Sequence, residues 1–300
     1  MIEITQLTKT YPGGVQALQG VNLHIGRGMF GLVGPNGAGK TTLMRIMAGI
    51  LRPTAGDVQV FGYSLKSAEG KRAIKMGLGY LPQELGLYPD LTALEFLDYM
   101  AVLKGITDRR GRGQQIAELL ERVRLADVAK RRLKTYSGGM KRRVGIAQAL
   151  LGNPQVVIVD EPTAGLDPEE RVRLRNLLGE VASRCTVILS THIVEDISQS
   201  CRDLAVINKG KVAFQGGPGE LIAQVQGKVW LVKTEGEKPD GATVVVSSMH
   251  LHDGTQYRVL GDLSAHPQAT PAEPSLEDGY IWLMQGVTDE RLNPDGSRPG

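Results

Sequence analysis

A glycine-rich loop between a strand and a helix constrains the fold of this chain more than any other feature. Residues 34–41 read GPNGAGKT and fit the pattern GxxxxGK[ST], after the apolar run MFGLV and before the helical pattern TTLMRIMAG. Backbone N–H groups of such a loop surround phosphates, while its lysine reaches the outer phosphates and its hydroxyl binds Mg²⁺. The loop therefore predicts a nucleotide site. The binding residues expected here are Gly34, Asn36, Gly37, Ala38, Gly39, Lys40, Thr41 and Thr42.

Strand-like runs alternate with helical patterns from Met1 to about Gly216. The runs MFGLV, LGYLP, QVVIVDE and TVILST are apolar and end in polar residues, which predicts a mainly parallel, buried sheet. IEITQLTKT, VQALQGVNLHIG and GDVQVFGY alternate more openly and predict an antiparallel sheet beside it. Between about residues 84 and 151 the strand signal disappears, so an inserted helical subdomain is expected in an α/β fold.

The pattern changes again after about Gly227. KVWLVKT and ATVVVSS precede HLHDGTQYRVL, in which Asp253-Gly254 predicts a hairpin turn. Ser275 and Asp278 have the spacing of a capping box before an apolar helix. We therefore predict a main domain over residues 1–225, a small and mostly β accessory domain over 226–285, and a flexible tail over 286–300.

Composition excludes several classes of protein. A net charge of +3 is too small for a dedicated nucleic-acid binder, so no nucleic-acid partner is expected. The first residues lack the pattern of a signal peptide, and no run of about 18 apolar residues occurs, which predicts a soluble protein of the cytosol. Cys185 and Cys201 have neither metal-ligand spacing nor a disulfide framework and are interpreted as reduced, structural thiols.

Two adjacent carboxylates, Asp160 and Glu161, end the apolar strand VVIVDEP. Successive side chains of a strand point in opposite directions, so the two acids cannot share one role. Asp160 is placed to bind Mg²⁺, and Glu161 can orient or deprotonate an attacking water. Alone, such a pair is as consistent with solvation or capping. Combined with the phosphate loop, it predicts a site of ATP hydrolysis.

Four further motifs follow in a fixed order. Gln83 stands in YLPQE, Asp167 in AGLDP and His192 in LSTH, while YSGGM begins a helical pattern with an additional anion cradle at residues 137–139. Each has an ordinary alternative: Gln83 as a loop amide, Asp167 as a helix N-cap and His192 as a surface residue. Only their order and spacing make them informative.

Together the motifs GPNGAGKTT, LPQE, YSGGM, VVIVDEP, AGLD and STH resemble the ATP-binding cassette of ABC transporters over about residues 1–225. The resemblance implies a P-loop NTPase fold with a RecA-like parallel sheet core. It also implies that two cassettes pair head to tail, most simply as a homodimer. Each ATP would then lie between the phosphate loop of one chain and Ser137, Gly138 and Gly139 of the other.

The same resemblance implies a role for each motif residue. Glu161 would be the catalytic base, with Lys40 and His192 at the γ-phosphate. Thr41, Asp160 and Gln83 would contact Mg²⁺, and the loop of Gln83 would also meet a membrane subunit. Asp167 would link the two ATP sites. Tyr11 would stack on adenine, unless it is only a surface residue at a strand end.

The signature motif departs from its commonest form, LSGGQ. Tyr136 and Met140 replace the leucine and glutamine, and YSGGM resembles cassettes that export drugs, lipids or polysaccharides. We therefore expect a cytoplasmic ATPase on the inner face of the membrane that powers a separate permease. The alternatives are a soluble ABC ATPase acting on ribosomes, DNA or cluster assembly, and a P-loop kinase.

A basic run remains outside these motifs: Lys130-Arg131-Arg132 with Lys141-Arg142-Arg143. It is interpreted as a solvated helix face. The alternative is a positive field near nucleotide phosphates or lipid headgroups.

Overall fold

The computed structural model describes residues 1–235, 237–239, 244–264 and 268–292, with side chains described as far as residue 286. Contacts divide the chain into two compact units, Met1–Val212 and Ala213–Gly300. Residues 293–300, which make up most of the predicted tail, lie outside the described residues. Among the residues described, no helix is both long and apolar enough to cross a bilayer.

The centre of the first unit is formed by β3, β6, β7, β8 and β9, which belong to a six-stranded sheet in the order β10-β9-β3-β8-β7-β6. The pairs β3/β8, β3/β9, β7/β8 and β6/β7 are parallel, as the sequence predicts. Strands β7 and β8 are buried along their whole length, which is typical of a parallel sheet covered on both faces. The strands are β3 (Met29–Val33), β6 (Leu78–Leu81), β7 (Val156–Asp160), β8 (Thr186–Thr191), β9 (Asp203–Asn208) and β10 (Lys211–Gly216).

An antiparallel sheet in the order β2-β1-β4-β5 packs on the same core. Helix α1 (Lys40–Met47) lies in this core, where Leu43, Met44, Ile46 and Met47 are fully buried. Its packing fixes the helix that follows the phosphate loop. The strands of this sheet are β1 (Ile2–Thr10), β2 (Gln16–Ile25), β4 (Ala55–Val60) and β5 (Tyr63–Ser64).

Helices fill the segment predicted as a helical subdomain. After α2 (Ala68–Gly77), the chain forms α3 (Ala93–Leu103), α4 (Arg109–Arg122) and α5 (Gly138–Leu150), with two short 3₁₀ turns before α5. Thr92 and Glu95 form a capping box at the start of α3, and Asp108 caps α4. Helices α6 (Pro168–Ala182) and α7 (Val194–Ser198) flank β8.

The second unit contains a four-stranded antiparallel sheet in the order β12-β13-β11-β14. The predicted hairpin forms, but its turn residues are His252 and Asp253, because Gly254 already pairs with Leu251. Ser275 and Asp278 cap the last helix, as predicted. A Cβ added at Gly279 would lie 2.6 Å from the carbonyl oxygen of Leu221, so α8 packs tightly on α9. The elements are α8 (Pro218–Ala223), β11 (Val229–Thr234), β12 (Val244–Leu251), β13 (Gly254–Leu260), β14 (Ala269–Pro271) and α9 (Leu276–Leu292).

Candidate functional site

The glycine-rich loop wraps around the start of α1. Gly39 has φ 107° at the position before Lys40, and a Cβ there would lie 2.5 Å from the carbonyl oxygen of Ala17. A Cβ at Gly34 would lie 2.2 Å from the carbonyl oxygen of Ile207. Only glycine fits these two positions. No side chain caps α1, so the N–H groups of its first turn face the loop cavity and are available to an anion.

Lys40 is buried beneath this loop. Its Nζ donates to the carbonyl oxygens of Gly34 at 2.5 Å and Pro35 at 3.2 Å, and lies 3.9 Å from Glu161 Oε1. Burial lowers the pKa of Lys40, although the carboxylates of Glu161 and Asp160 act in the opposite direction. The ammonium is therefore directed into the loop with only carbonyls as close acceptors, ready to exchange them for phosphate oxygens.

Thr41, in the first turn of α1, contacts Asp160 at the end of β7. The carboxyl ends of β3, β8 and β7 lie side by side, so Thr41 Oγ1 reaches Asp160 Oδ2 at 3.0 Å. Asp160 is 1% exposed, and its second oxygen, Oδ1, has no hydrogen-bond partner among the described residues. Burial raises the pKa of Asp160, against the effect of the Thr41 hydroxyl. A buried carboxylate oxygen without a partner is a position that a cation would satisfy.

Glu161 points to the other side of the strand end, as alternation predicts. It adopts φ 48°, a strained conformation for a residue with a side chain, and its N–H donates to the carbonyl oxygen of Ser190 at 3.0 Å. Its Oε2 lies 2.8 Å from His192 Nδ1. Glu161 is buried, whereas the side chain of His192 is 53% exposed. The two carboxylates thus have separate partners within one site.

Tyr11 and Gln83 are placed differently relative to the loop. The hydroxyl of Tyr11 is 3.3 Å from Thr42 Oγ1, which sets its ring beside the start of α1. Gln83 lies in the exposed loop after β6, and its backbone oxygen accepts from Arg142 Nη1 at 2.8 Å. A role for the Gln83 amide at Mg²⁺ stays a prediction.

The second predicted cradle lies at the exposed start of α5. Ser137 is its N-cap and accepts from the N–H of Met140 at 3.2 Å, while Ser137 and Gly138 are exposed. Asp167 caps α6 in the same way, because it accepts from the N–H of Glu170 at 2.8 Å. The helix N-cap that the sequence offered as its alternative role is therefore present. Neither geometry tests the roles that the resemblance implies for these residues.

Arg142 is the functional-site residue that the sequence interpretation missed. The prediction of a solvated face is wrong here, because Arg142 is 7% exposed. Its guanidinium donates to the carbonyl oxygens of Glu161 at 2.6 Å, Pro162 at 3.1 Å and Gln83 at 2.8 Å. Burial lowers its pKa. Arg142 therefore connects α5 to the loops that carry Glu161 and Gln83.

Arg143 also contradicts the solvated interpretation. Its Nη1 donates to the carbonyl oxygens of Val123 and Arg124, both at 3.2 Å, and its Nε lies 3.5 Å from Glu170 Oε2. Lys130, Arg131 and Arg132 are exposed, as predicted. In the sequence the six cations form two similar runs of three, so no local signal separates the exposed ones from the others. Only packing shows which of them lie against carbonyl groups.

The packing of Tyr136 accounts for the tyrosine that stands in place of the leucine of LSGGQ. The ring is 4% exposed, and its hydroxyl donates to the carbonyl oxygen of Val128 at 2.7 Å. The tyrosine thus occupies an apolar position and adds one buried hydrogen bond. The residues that follow it, Ser137 and Gly138, stay exposed.

Comparison with known proteins identifies the family. The family model described as ABC transporter matches residues 18–164. An uncharacterized ABC transporter ATP-binding protein of Bacillus subtilis is 36% identical over 242 residues, which cover 80% of this chain and 79% of the relative. The chain belongs to the ABC transporter ATP-binding proteins. The Nod factor export ATP-binding protein I of Paraburkholderia xenovorans is 39% identical over 227 residues, which cover 74% of this chain and 72% of the relative.

A solved structure has the same cassette fold. A dimeric ATP-binding cassette in a post-hydrolysis state, bound to ADP and Pi, superposes with a TM-score of 0.66 and 28% identity. The match covers 72% of this chain and 98% of that chain. This ABC protein is therefore an ATPase of the cassette type. The expected family, fold and ATPase activity are confirmed.

Proposed function

We propose that this cassette hydrolyses Mg²⁺-ATP at a site completed by a second copy of the chain, and that it thereby powers a separate membrane permease. One observation carries the proposal. The buried pair Thr41–Asp160, with Oγ1 and Oδ2 at 3.0 Å, and the pair Glu161–His192, at 2.8 Å, lie at one edge of the sheet beside Lys40. The residues proposed to bind Mg²⁺ and the residues proposed to activate water thus share one cavity.

Mg²⁺ fits the oxygen atoms of this site. Among the described residues no group of three or more His, Cys, Asp or Glu side chains could hold a metal by itself. Mg²⁺ in nucleotide sites needs only one or two protein oxygens, because phosphates and water complete its octahedron. The Thr41 hydroxyl and Asp160 Oδ1, which lacks a hydrogen-bond partner, would supply them. When bound, the ion neutralises charge that develops on the transferred phosphoryl group.

Glu161 is the base in this proposal. Its carboxylate is buried and held by His192, so it can accept a proton from a water in line with the outer phosphate. The carboxylate lies 3.9 Å from Lys40 Nζ, which would stabilise negative charge during attack. His192 keeps Glu161 oriented, and its exposed side chain would contact the outer phosphate.

The exposed signature motif supplies the other half of the site. Ser137 and Gly138 begin α5 at the surface, where N–H groups and the helix dipole favour an anion. We infer that they contact the nucleotide of a second copy, as in a head-to-tail homodimer. The dimeric state of the related cassette supports this inference. Asp167, exposed at the start of α6, would then connect the two sites.

Tyr11 completes the nucleotide pocket on the adenine side. Its hydroxyl contacts Thr42, so its ring is held beside the phosphate loop. Lys9 Nζ lies 5.3 Å from the ring centroid, which restrains the ring further. We propose that this ring stacks on the base.

A membrane partner is proposed for the surface around the Gln83 loop. The chain has no membrane-crossing helix in its described part, yet exposed apolar side chains surround the loop after β6. Such patches are typical of protein interfaces. The cassette would accordingly lie on the cytoplasmic face of the membrane, held there by its permease.

Replacement of the proposed base tests the function directly. Glu161→Gln keeps the shape of the side chain but removes the proton acceptor, so ATP turnover should fall by at least about 100-fold. Mg²⁺-dependent ATP binding should remain. Glu118→Gln, in an exposed side chain of α4, is the control and should keep wild-type turnover. Wild-type turnover by Glu161→Gln would contradict the assignment of the base.

A further inference from the structure

Two buried polar side chains that belong to none of the nucleotide motifs contact each other beside the site. Thr163 follows the Glu161-Pro162 segment after β7, and Asp196 lies in α7. Thr163 Oγ1 donates to Asp196 Oδ2 at 2.9 Å, although the two residues are 33 positions apart in the chain. Thr163 is 3% exposed and Asp196 is 7% exposed. A hydrogen bond to a carboxylate is stronger than one between neutral groups, so this contact restrains the backbone on both sides of it.

The Thr163–Asp196 bond closes a ring that contains the contact between Glu161 and His192. Glu161 lies two residues before Thr163, and His192 lies four residues before Asp196. The ring therefore consists of two short backbone segments joined by two contacts: the Thr163–Asp196 bond and the 2.8 Å contact between Glu161 Oε2 and His192 Nδ1. Because the segments are short, the position of one contact restricts the position of the other.

His192 needs such a restraint because packing does not hold its ring. The side chain is 53% exposed, so the position of the imidazole depends on the backbone from which it extends. Helix α7, which begins two residues later, has only five residues and no side-chain cap. A helix this short is not stable by itself. It is anchored to the core by Ile197, whose side chain would lie 2.8 Å from a Cβ at Gly31, and by the bond that Asp196 accepts.

Arg142 does not supply the same restraint. Its guanidinium donates to the carbonyl oxygens of Glu161, Pro162 and Gln83, which fixes Glu161 relative to α5. In the described part of the chain, none of the hydrogen bonds of Arg142 reaches α7. The hydroxyl of Thr163 therefore adds a contact toward the element that carries His192.

We propose that Thr163 and Asp196 are positioning residues for ATP hydrolysis, and that their bond holds Glu161 and His192 at the separation that the reaction needs. The inference rests on the proposed function, because it takes Glu161 as the base. Neither residue contacts the nucleotide. Without the bond, α7 and the segment after β7 move independently, so water activation slows while the phosphate loop still binds ATP.

Removal of the Thr163 hydroxyl tests the inference. Thr163→Val keeps the shape of the side chain but cannot donate to Asp196. We expect kcat for ATP to fall by at least about tenfold, because small displacements of catalytic groups cost large factors in rate. The Kd of a fluorescent ATP analogue should stay within about twofold of the wild-type value, since the phosphate loop is unchanged. Thr163→Ser restores a hydroxyl and should recover most of the kcat.

Thr186→Val is the matched control. Thr186 is another buried threonine, and its hydroxyl donates to the carbonyl oxygen of Gly26 at 3.2 Å. It begins β8, whereas His192 follows the end of that strand, so its loss should lower stability without lowering kcat. Asp196→Ala breaks the proposed bond from the other side and should match the kcat of Thr163→Val. Wild-type kcat in both of these variants, or an equal loss in Thr186→Val, would overturn the inference.

A double variant distinguishes positioning of the base from a general loss of stability. Once the base is absent, its position no longer matters. Thr163→Val in the Glu161→Gln background should therefore turn over ATP at about the rate of Glu161→Gln alone. A further fall of about tenfold or more would show that Thr163 acts independently of Glu161, against the inference.

The outcomes separate this inference from the proposed function. If Glu161→Gln keeps wild-type turnover, the assignment of the base fails and the inference fails with it. If Glu161→Gln is slow while Thr163→Val and Asp196→Ala turn over ATP like the wild type, only the inference about the bond fails. Loss of ATP binding in both Thr163→Val and Asp196→Ala would assign the bond to folding and would also overturn the inference.

Discussion

Arg142 shows how one side chain can organise a catalytic site without touching the reacting atoms. Its guanidinium donates to carbonyl oxygens of the Gln83 loop and of the Glu161-Pro162 segment. These carbonyls belong to irregular backbone, so no strand or helix could satisfy them. The residue therefore holds Glu161 at its strained φ of 48°, next to His192.

Removal of this guanidinium should destabilise the first unit. Arg142→Met fills a similar space but removes the guanidinium donors from the carbonyls of the buried Glu161-Pro162 segment and of Gln83, so the free energy of unfolding should fall by about 3 kcal/mol. Urea unfolding followed by far-UV circular dichroism measures this change. Arg122→Met, at an exposed position of α4, is the control. Equal stability of the two variants would show that water replaces the guanidinium without cost.

Lys104 should be unusually reactive in the free cassette. Burial lowers its pKa to about 8, so the side chain is about half unprotonated at that pH, whereas an ordinary lysine is unprotonated in under about 1% of molecules. Limited acetylation near pH 8, read by peptide mass spectrometry, should therefore modify Lys104 well before Lys130. The advantage should shrink as the pH rises toward 10.5, where ordinary lysines also lose their protons. Equal rates near pH 8 would contradict the lowered pKa.

At the scale of elements, one ion pair attaches α9 to the C-terminal sheet. Arg258 of β13 donates to Asp278 through Nε at 2.9 Å and Nη2 at 2.6 Å, and Ser275 adds its hydroxyl at 2.7 Å. Asp278 is fully buried. Burial alone would raise the pKa of Asp278, but the bonds from Arg258 and Ser275 outweigh it and the pKa is lowered. The pair thus stabilises the unit while Asp278 is ionised.

The stability of this unit should depend on Asp278 in a pH-dependent way. A lowered folded-state pKa means that the stabilisation is complete above the ordinary value of 3.8 and is lost as the pH falls below it. At neutral pH, Asp278→Asn should cost about 3 kcal/mol, because Arg258 loses its counterion. The only two tryptophans, Trp230 and Trp282, belong to this unit, so tryptophan fluorescence follows its unfolding alone.

A control variant and a change of pH show whether the cost of Asp278→Asn comes from the lost charge. Glu277→Gln changes the exposed neighbour of Asp278 on α9 and should leave the fluorescence transition near its wild-type position. The cost of Asp278→Asn should also disappear in acid, since the wild-type carboxylate is protonated there. A cost that persists unchanged below pH 3.8 would assign the effect to packing rather than to charge.

At the scale of the whole molecule, the phosphate loop and the signature helix present separate surfaces. Lys40 is buried under its loop, while Ser137 begins α5 at the surface. In the proposed dimer each nucleotide contacts the loop of one copy and the signature of the other. Binding of ATP to one chain and assembly of two chains are then separable events.

Ser137→Arg should separate ATP binding by one chain from the assembly of two chains. The added side chain and charge would block the partner's nucleotide without touching the phosphate loop of the same chain. ATP binding to the monomer should remain, turnover should fall by about 100-fold, and light scattering should find no ATP-induced dimer in the Glu161→Gln background. Ser67→Arg removes another N-cap serine, that of α2, and should still permit the dimer. Loss of monomer binding in Ser137→Arg would mean that both cradles serve one nucleotide.

Local patterns in the sequence were sufficient for most of the fold and of the site. The phosphate loop, the strand ending at Asp160 and Glu161, the parallel sheet and the C-terminal hairpin are short-range features, specified by spacing, alternation and turn residues. Strand alternation alone predicted that Asp160 and Glu161 face different partners, and their contacts with Thr41 and His192 confirm it.

Interactions between distant segments could not be predicted in this way. Arg142 lies among other cations in the sequence, and only the packing of α5 against the loops after β6 and β7 buries it. Lys104 lies at a helix end, and only packing shows that it is partly buried with no acid to offset the burial. The sequence by itself determined the elements and the chemistry at their ends, because these depend on neighbouring residues. The tertiary structure decided which charges are buried, because desolvation depends on every segment that packs around a group.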